Sequence, residues 1–174
     1  PWVVGAVTLV GGLLRVFQLG WKGMWLDETF SVWLANQGVG DMLQWIVKID
    51  QHPPLYYLLL HYWVALYGDT PYAARLLSVL FGTATIPLMY LIGRRLSGPV
   101  MGLIAAVLLA FSPFNTFYAQ EARMYTLLAL LWGTLWFVWR GRTLADWIID
   151  VLAALLGFGL GQLVGWLLGL GLPT

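Results

Sequence analysis

The stretch "PPLYYLLLHYWVALYG", residues 53–68, decides how this chain can be arranged, because it is apolar but too short to span a membrane. A helix needs about 20 apolar residues to cross the hydrocarbon of a bilayer, and this run also carries His61 and four tyrosines. Its prolines suit a first helical turn and Gly68 a stop. Helical spacing then predicts one apolar face that lies in the membrane interface, formed by Leu55, Leu58, Leu59, Tyr62 and Leu66.

The preceding segment, "DMLQWIVKID" at residues 41–50, shows the same kind of pattern. Asp41 is the predicted N-cap of a second short helix. The apolar residues at helical spacing in it are Met42, Trp45, Ile46 and Ile49. Residues 20–71 are therefore predicted to form one long loop that lies on the membrane surface without crossing it.

The composition places the rest of the chain in lipid. Of 174 residues, 60% are hydrophobic and eleven are tryptophan, with a mean hydropathy of +0.79, which a small soluble domain could not keep from water. The fold class predicted is an all-α polytopic transmembrane bundle of about five spans. The corresponding apolar runs are residues 2–19, 72–93, 100–119, 124–139 and 147–172. The absence of cysteine excludes disulfides and thiol nucleophiles, and the net charge of +1 gives no indication of nucleic-acid binding.

The basic residues set the predicted orientation. If the loop stays on one side, the arginine pair at 94–95 shares the other side with the arginines at 140 and 142. The positive-inside rule makes that side cytoplasmic and the loop external. In the alternative, residues 53–68 cross, which would place both basic pairs outside. The first arrangement is predicted, and it brings the acidic residues of the loop to the same outer surface as "QEAR" at 120–123.

Two short motifs carry the charges. "MWLDETFS", residues 24–31, contains Asp27 and Glu28. A common alternative to a functional role is that Asp27 caps a short helix and Glu28 complements the dipole of that helix. "YAQEARMY", residues 118–125, places Glu121 two residues before Arg123. A local ion pair is the alternative there, but charges beside a bilayer are costly enough to indicate a functional site, and arginine suits a phosphate.

Three further charged or titratable residues have weaker indications. His52 precedes a proline, and a hydrogen-bonded histidine at a helix start is the favoured explanation for it. Arg15 and Arg75 lie nearer the ends of predicted spans. They are predicted to be anchors whose side chains snorkel to the membrane surface.

Four segments in order resemble a known family. "WLDETFS", "HPPLYY", "AARLLSVLFGTATIPLMYLIGRRL" and "FSPFNTFYAQEARMY" resemble the amino-terminal module of membrane glycosyltransferases with the C-type fold, in particular protein O-mannosyltransferases and aminoarabinose transferases. The resemblance implies transfer of a sugar from a polyprenyl-phosphate carrier in the lipid bilayer. It also implies an integral membrane protein with its active side outward, in the bacterial or archaeal cytoplasmic membrane, or in the ER membrane of a eukaryote.

The resemblance also implies roles for individual residues. Asp27 and Glu28 correspond to a catalytic acidic pair, and Asp27 is the predicted base that takes a proton from an acceptor hydroxyl. Arg123 is predicted to stabilise the departing phosphate. The predicted substrate-binding residues are Trp25, His52, Tyr56, Glu121, Arg123 and Tyr125. The sequence requires no cofactor, although Asp27 or Glu121 would allow a divalent cation.

The chain is predicted to be a single transmembrane module, 1–174, that is part of a longer protein. Family-like features extend through residue 140, whereas 141–174 is a glycine-rich last span of uncertain relation. Glycines at intervals of four predict tight helix packing there, at Gly157, Gly161, Gly165 and Gly169. The alternative function is a non-catalytic membrane module that binds a lipid-linked sugar or a partner subunit. A transporter or channel ranks lowest because the charges cluster at the surface.

Overall fold

The computed structural model describes residues 2–50 and 52–139, and every regular element within those ranges is a helix. The α-helices are α1 (Trp2–Val16), α2 (Leu26–Ala35), α3 (Val39–Trp45), α4 (Pro54–Tyr67), α5 (Pro71–Ser97), α6 (Pro99–Ala110), α7 (Pro113–Ala119) and α8 (Tyr125–Trp139). A π-helical turn, Ile46–Asp50, continues α3. The prediction of an all-α fold is thus confirmed for the part of the chain described.

Helix length limits the number of membrane spans. α5 has 27 residues and is therefore about 40 Å long, enough to cross a bilayer. α6 and α7 qualify only as a pair, and they are bent by 59° at the break between them. The described ranges thus contain one helix that could span a membrane, or two if the bent pair is counted. Five spans stay a prediction, and the fifth, with its glycine face, lies outside the described residues.

α5 is the long helix against which α1 and α6 pack. It begins where the Thr70 hydroxyl caps it, accepting a 3.2 Å hydrogen bond from the Ala73 amide, and Pro71 follows as a residue with no amide to satisfy. α6 approaches very closely at Gly93 and Gly102: a Cβ on Gly93 would lie 2.8 Å from the Cα of Gly102. Only glycine allows the two backbones to come this near.

The loop between α1 and α5 contains α2, α3 and α4, which share a core. α4 has the predicted bounds, with Pro53 as its N-cap and Gly68 as its C-cap. Most of its predicted apolar face points away from that core, since Leu55 is 45% exposed and Leu66 76% exposed, as an interfacial helix requires. Leu58 is the exception, because it packs against the core. The opposite face is buried, through Tyr56, Tyr57, Leu60 and Val64.

The predicted start of α3 is wrong. The N-cap is Gly38, the helix begins at Val39, and Asp41 lies in the first turn, where a carboxylate complements the helix dipole. The apolar residues predicted to share one face also differ in burial. Met42 and Ile46 are buried, whereas Trp45 and Ile49 are exposed.

The prediction that Arg15 and Arg75 snorkel to the surface is wrong as well, because both are buried. Arg15 donates to the carbonyl oxygens of Leu109 and Ala110 and to Asn115 Oδ1, at 3.1, 3.2 and 2.6 Å. Those carbonyls end α6, where they lack partners within the helix and favour a cation. Arg15 therefore fastens α1 to the break between α6 and α7.

Candidate functional site

Glu28 and Arg75 form a buried ion pair beneath the loop that follows α1. The Arg75 Nε donates to Glu28 Oε1 at 2.8 Å, and its Nη2 donates to Oε2 at 2.7 Å. The side chains are only 2% and 4% exposed for Glu28 and Arg75. Glu28 stands in the first turn of α2 and Arg75 in the second turn of α5, so the pair joins the loop to the long helix.

Arg75 has no hydrogen-bonding capacity left over. Its Nη1 donates to the carbonyl oxygens of Leu19 and Lys22, and its Nη2 also donates to that of Gly23, each at 2.9 Å. Together with the two bonds to Glu28, these use all five N–H groups of the guanidinium. Arg75 therefore holds the loop around itself and has no donor free for a ligand.

Glu28 is saturated in the same way. Oε1 also accepts from the Ala122 amide at 2.9 Å, and Oε2 accepts from the Trp25 amide at 3.2 Å. Burial alone would raise the pKa of Glu28, but the hydrogen bonds from Arg75, Ala122 and Trp25 outweigh it and lower the pKa. A carboxylate offers about four acceptor positions, and all are used here. Glu28, predicted as one member of a catalytic acidic pair, thus has no free lone pair with which to take a proton.

Asp27, its neighbour, is in the opposite situation. The Asp27 side chain is 71% exposed, and its Oδ2 lies 4.0 Å from Arg123 Nη2. It does not cap α2: the N-cap is Trp25, whose amide is bonded by Glu28. The alternative that Asp27 is an N-cap is therefore wrong, and its carboxylate is available to a ligand.

Arg123 is a buried cation whose guanidinium has one N–H group, at Nε, without a hydrogen-bond partner. Its side chain is only 8% exposed, its Nη1 lies 3.5 Å from Ser31 Oγ, and its Nε is buried without a hydrogen-bond partner. Burial lowers the pKa of Arg123, but Tyr57, a hydrogen bond to Tyr125 and the charge of Asp27 more than compensate and raise it. A buried donor without a partner is costly, so the guanidinium is suited to an incoming anion.

Glu121 is half-buried beside these groups. Burial raises the pKa of Glu121, and the negative charges of Glu28 and Asp27 raise it further. Within the described residues the ion pair of Arg123 is with Asp27, so the local Glu121–Arg123 ion pair is not formed. Glu121 is therefore a carboxyl group that can be protonated more readily than an ordinary glutamate.

Most of the predicted site residues line one small cavity. Its volume is about 140 Å³, and it is lined by Trp25, Leu26, Asp27, Glu28, Glu121, Arg123 and Tyr125. A second cavity of about 280 Å³ adjoins it and shares Trp25, Glu28 and Glu121. Asp27 and Glu121, the predicted cation ligands, both line the first cavity. The described ranges contain no group of three or more histidine and acidic residues positioned for a metal ion.

His52 and Tyr56 are the predicted site residues that the structure does not bring to this cavity. Tyr56 is completely buried, and its hydroxyl is 2.9 Å from Ser78 Oγ, which donates to the Arg123 carbonyl at 3.1 Å. Burial raises the pKa of Tyr56, so its phenol stays protonated. Tyr56 and Ser78 therefore position the backbone of Arg123. Ser78 had no sequence signal, because it is a lone hydroxyl within an apolar run.

Comparison with known proteins identifies a family for this chain. The model of the family described as dolichyl-phosphate-mannose-protein mannosyltransferase matches residues 51–171. No curated protein and no solved structure matches the chain. The matched range includes Arg75, Glu121 and Arg123 but begins after the acidic pair. Asp27 and Glu28 nevertheless contact residues of the matched range in the structure. Glu28 contacts Arg75 and Ala122, and Asp27 contacts Arg123.

Proposed function

Since the chain belongs to the dolichyl-phosphate-mannose-protein mannosyltransferase family, we propose that it transfers a sugar from a polyprenyl-phosphate carrier to a hydroxyl group at the outer face of the membrane. Family membership makes it a glycosyltransferase of the mannosyltransferase kind. The carrier and the side of the membrane are supported by the sequence resemblance and by the chemistry of the cavity. The observation that carries the proposal is the exposed Asp27 carboxylate beside the buried Arg123 guanidinium, whose Nε has no hydrogen-bond partner.

Asp27 is the base in this proposal. An acceptor hydroxyl is a poor nucleophile, and a positioned carboxylate that takes its proton supplies about 10² to 10⁴ in rate. The acceptor oxygen bonds to the anomeric carbon, the bond between that carbon and the phosphate oxygen breaks, and the proton stays on Asp27. Glu28 cannot replace Asp27 because its acceptor positions are filled.

Arg123 binds the phosphate of the carrier. The electron pair of the broken bond leaves with the phosphate, so negative charge grows where the guanidinium already stands. Donors that are fixed before the reaction stabilise such a charge without reorganising. Ser78, which is hydrogen bonded to Tyr56, holds the backbone of Arg123 in place.

The remaining parts of the site serve binding and position. Glu121, with its raised pKa, lies beside Asp27, where it can hydrogen bond hydroxyl groups of the sugar. No step of this mechanism requires a metal, although Asp27 and Glu121 would accept one. The setting we propose is a single module of five spans in the bacterial or archaeal cytoplasmic membrane, or in the ER membrane, with its amino terminus in the cytoplasm.

The test is transfer from dolichyl-phosphate-mannose in membranes that contain the chain. Asp27→Asn should lower transfer by about 10² or more while leaving the fold intact, because it removes a base that is mostly exposed. Asp41→Asn is the matched control, since Asp41 is an exposed aspartate in the first turn of another helix of the same loop, and it should transfer like wild type. Transfer by Asp27→Asn at the wild-type rate would overturn the assignment of the base. Binding of the donor without turnover by the wild type would favour the alternative, a non-catalytic module.

A further inference from the structure

We infer that the groove between α7 and α8 binds the isoprenoid chain of the carrier where the chain leaves the phosphate. The inference rests on the proposed function, which places that phosphate at Arg123. The groove has a volume of about 350 Å³. It is lined by Phe114, Asn115, Tyr118, Tyr125, Thr126 and Ala129.

The groove and the Arg123 cavity meet at one side chain. Tyr125 lines both of them, and its proximity to the guanidinium of Arg123 contributes to the raised pKa of that group. A phosphate at Arg123 therefore lies next to the entrance of the groove. Because phosphate and chain are covalently joined, the first isoprenoid unit must occupy a space that adjoins the phosphate.

The walls of the groove suit hydrocarbon. The ring of Tyr118 packs edge-on against Phe114 and Tyr125, with centroids 4.7 and 4.9 Å apart. Phe114 is 73% exposed, so this aromatic surface is open to an apolar ligand. Two polar groups beside it have partners within the protein: Thr126 donates to the Ser78 carbonyl at 3.0 Å, and Asn115 Oδ1 accepts from Arg15 at 2.6 Å.

The other space that adjoins the Arg123 cavity is less suitable for a chain. The cavity of about 280 Å³ on the far side of Glu121 is lined in part by Gln18, Lys22 and Gln120. A hydrocarbon chain there would cover polar groups and remove them from water, at a cost. In contrast, α8 continues from Tyr125 as an apolar helix, so a chain in the groove runs along it toward the lipid.

The test compares methyl, geranyl and farnesyl phosphate as ligands of wild type and of Ala129→Phe in nanodiscs. Ala129 is exposed and lies one turn after Tyr125, so phenylalanine would fill the groove without disturbing a core. Wild type should prefer farnesyl over methyl phosphate. In Ala129→Phe this preference should fall about tenfold or more, the loss expected when two methylene groups stay in water, while methyl phosphate binds as before.

Leu131→Phe is the matched control, because Leu131 is 38% exposed on α8 and does not line the groove. It should keep the wild-type preference. An unchanged preference in Ala129→Phe, or an equal loss in Leu131→Phe, would overturn the inference while leaving the proposed function in place. Failure of the wild type to bind any of the three phosphates would instead overturn the proposed function. If Ala129→Phe unfolds, Ala129→Leu tests the same point with a smaller side chain.

Discussion

Glu28 and Arg75 are 47 positions apart in sequence, yet two hydrogen bonds of 2.8 and 2.7 Å join them in the interior. Through Ala122, Glu28 also reaches the segment that carries Glu121 and Arg123. The pair thus holds together the two segments that form the cavity. Protein groups fill all the hydrogen-bonding positions of this pair, whereas the Asp27 carboxylate is 71% exposed and the Arg123 Nε has no hydrogen-bond partner.

Glu28→Gln should be strongly destabilising. Removing one partner of a buried ion pair costs about 3 to 5 kcal/mol, a large part of the roughly 5 to 15 kcal/mol that stabilises a typical protein. Arg75→Lys should also destabilise, because lysine keeps the charge but cannot supply five donors to Glu28, Leu19, Lys22 and Gly23. Thermal unfolding in detergent measures both effects. Midpoints equal to wild type would show that the pair does not hold the loop.

The effect of Glu28→Gln should depend on pH. Because the folded protein lowers the pKa of Glu28, the stabilisation is present above the ordinary glutamate pKa of about 4.3 and is lost as the pH falls through the folded value. The difference in unfolding midpoint between wild type and Glu28→Gln should therefore be largest at neutral pH and shrink in acid. A difference that grows with acidification would contradict the ionised pair.

Glu121→Gln should change the stability at neutral pH in the opposite direction to Glu28→Gln. The folded protein raises the pKa of Glu121 through burial and through the charges of Glu28 and Asp27, so the protonated form suits the fold. At neutral pH the ionised carboxylate is unfavourable, and Glu121→Gln should be at least as stable as wild type. Below the ordinary pKa of glutamate the two proteins should unfold alike. A variant that is less stable than wild type at neutral pH would show that Glu121 is held by attraction.

The orientation of α5 can be tested by labelling, because the chain contains no cysteine. Asp69→Cys and Ser97→Cys place single thiols at the two ends of the 27-residue helix, both at exposed positions. An impermeant maleimide added to intact cells should label the first and not the second, since the arginine pair at 94–95 favours the cytoplasmic side. The reverse pattern would place the cavity on the cytoplasmic side.

The sequence predicted local structure well where one segment determines it. The bounds of α4 followed from its prolines, its glycine and its apolar spacing, because each of these acts on neighbouring residues. The meeting of Asp27, Glu121 and Arg123 in one cavity followed from short motifs and a family resemblance.

Long-range partners could not be predicted in the same way. The sequence predicts a membrane anchor at Arg75, because a lone arginine near a span end usually is one. Its five acceptors lie instead in the segment from Leu19 to Glu28. The family resemblance predicts a substrate contact for Tyr56, whereas packing of α4 on α5 turns its hydroxyl toward Ser78. The difference between Asp27 and Glu28 likewise depends on how many hydrogen bonds each carboxylate accepts, which the residues adjacent in sequence do not reveal.

The central claim is that Arg123 is the cation kept available for the phosphate of the carrier, and its most direct test is the affinity for dolichyl phosphate. Arg123→Gln should weaken binding by roughly tenfold to a hundredfold or somewhat more, the loss of about 1.5 to 3 kcal/mol expected for a charge-assisted contact. Arg123→Lys should fall between that variant and wild type, because it keeps the charge without the planar fork. Binding of dolichyl phosphate by Arg123→Gln with wild-type affinity, in a variant whose unfolding midpoint is unchanged, would contradict the account.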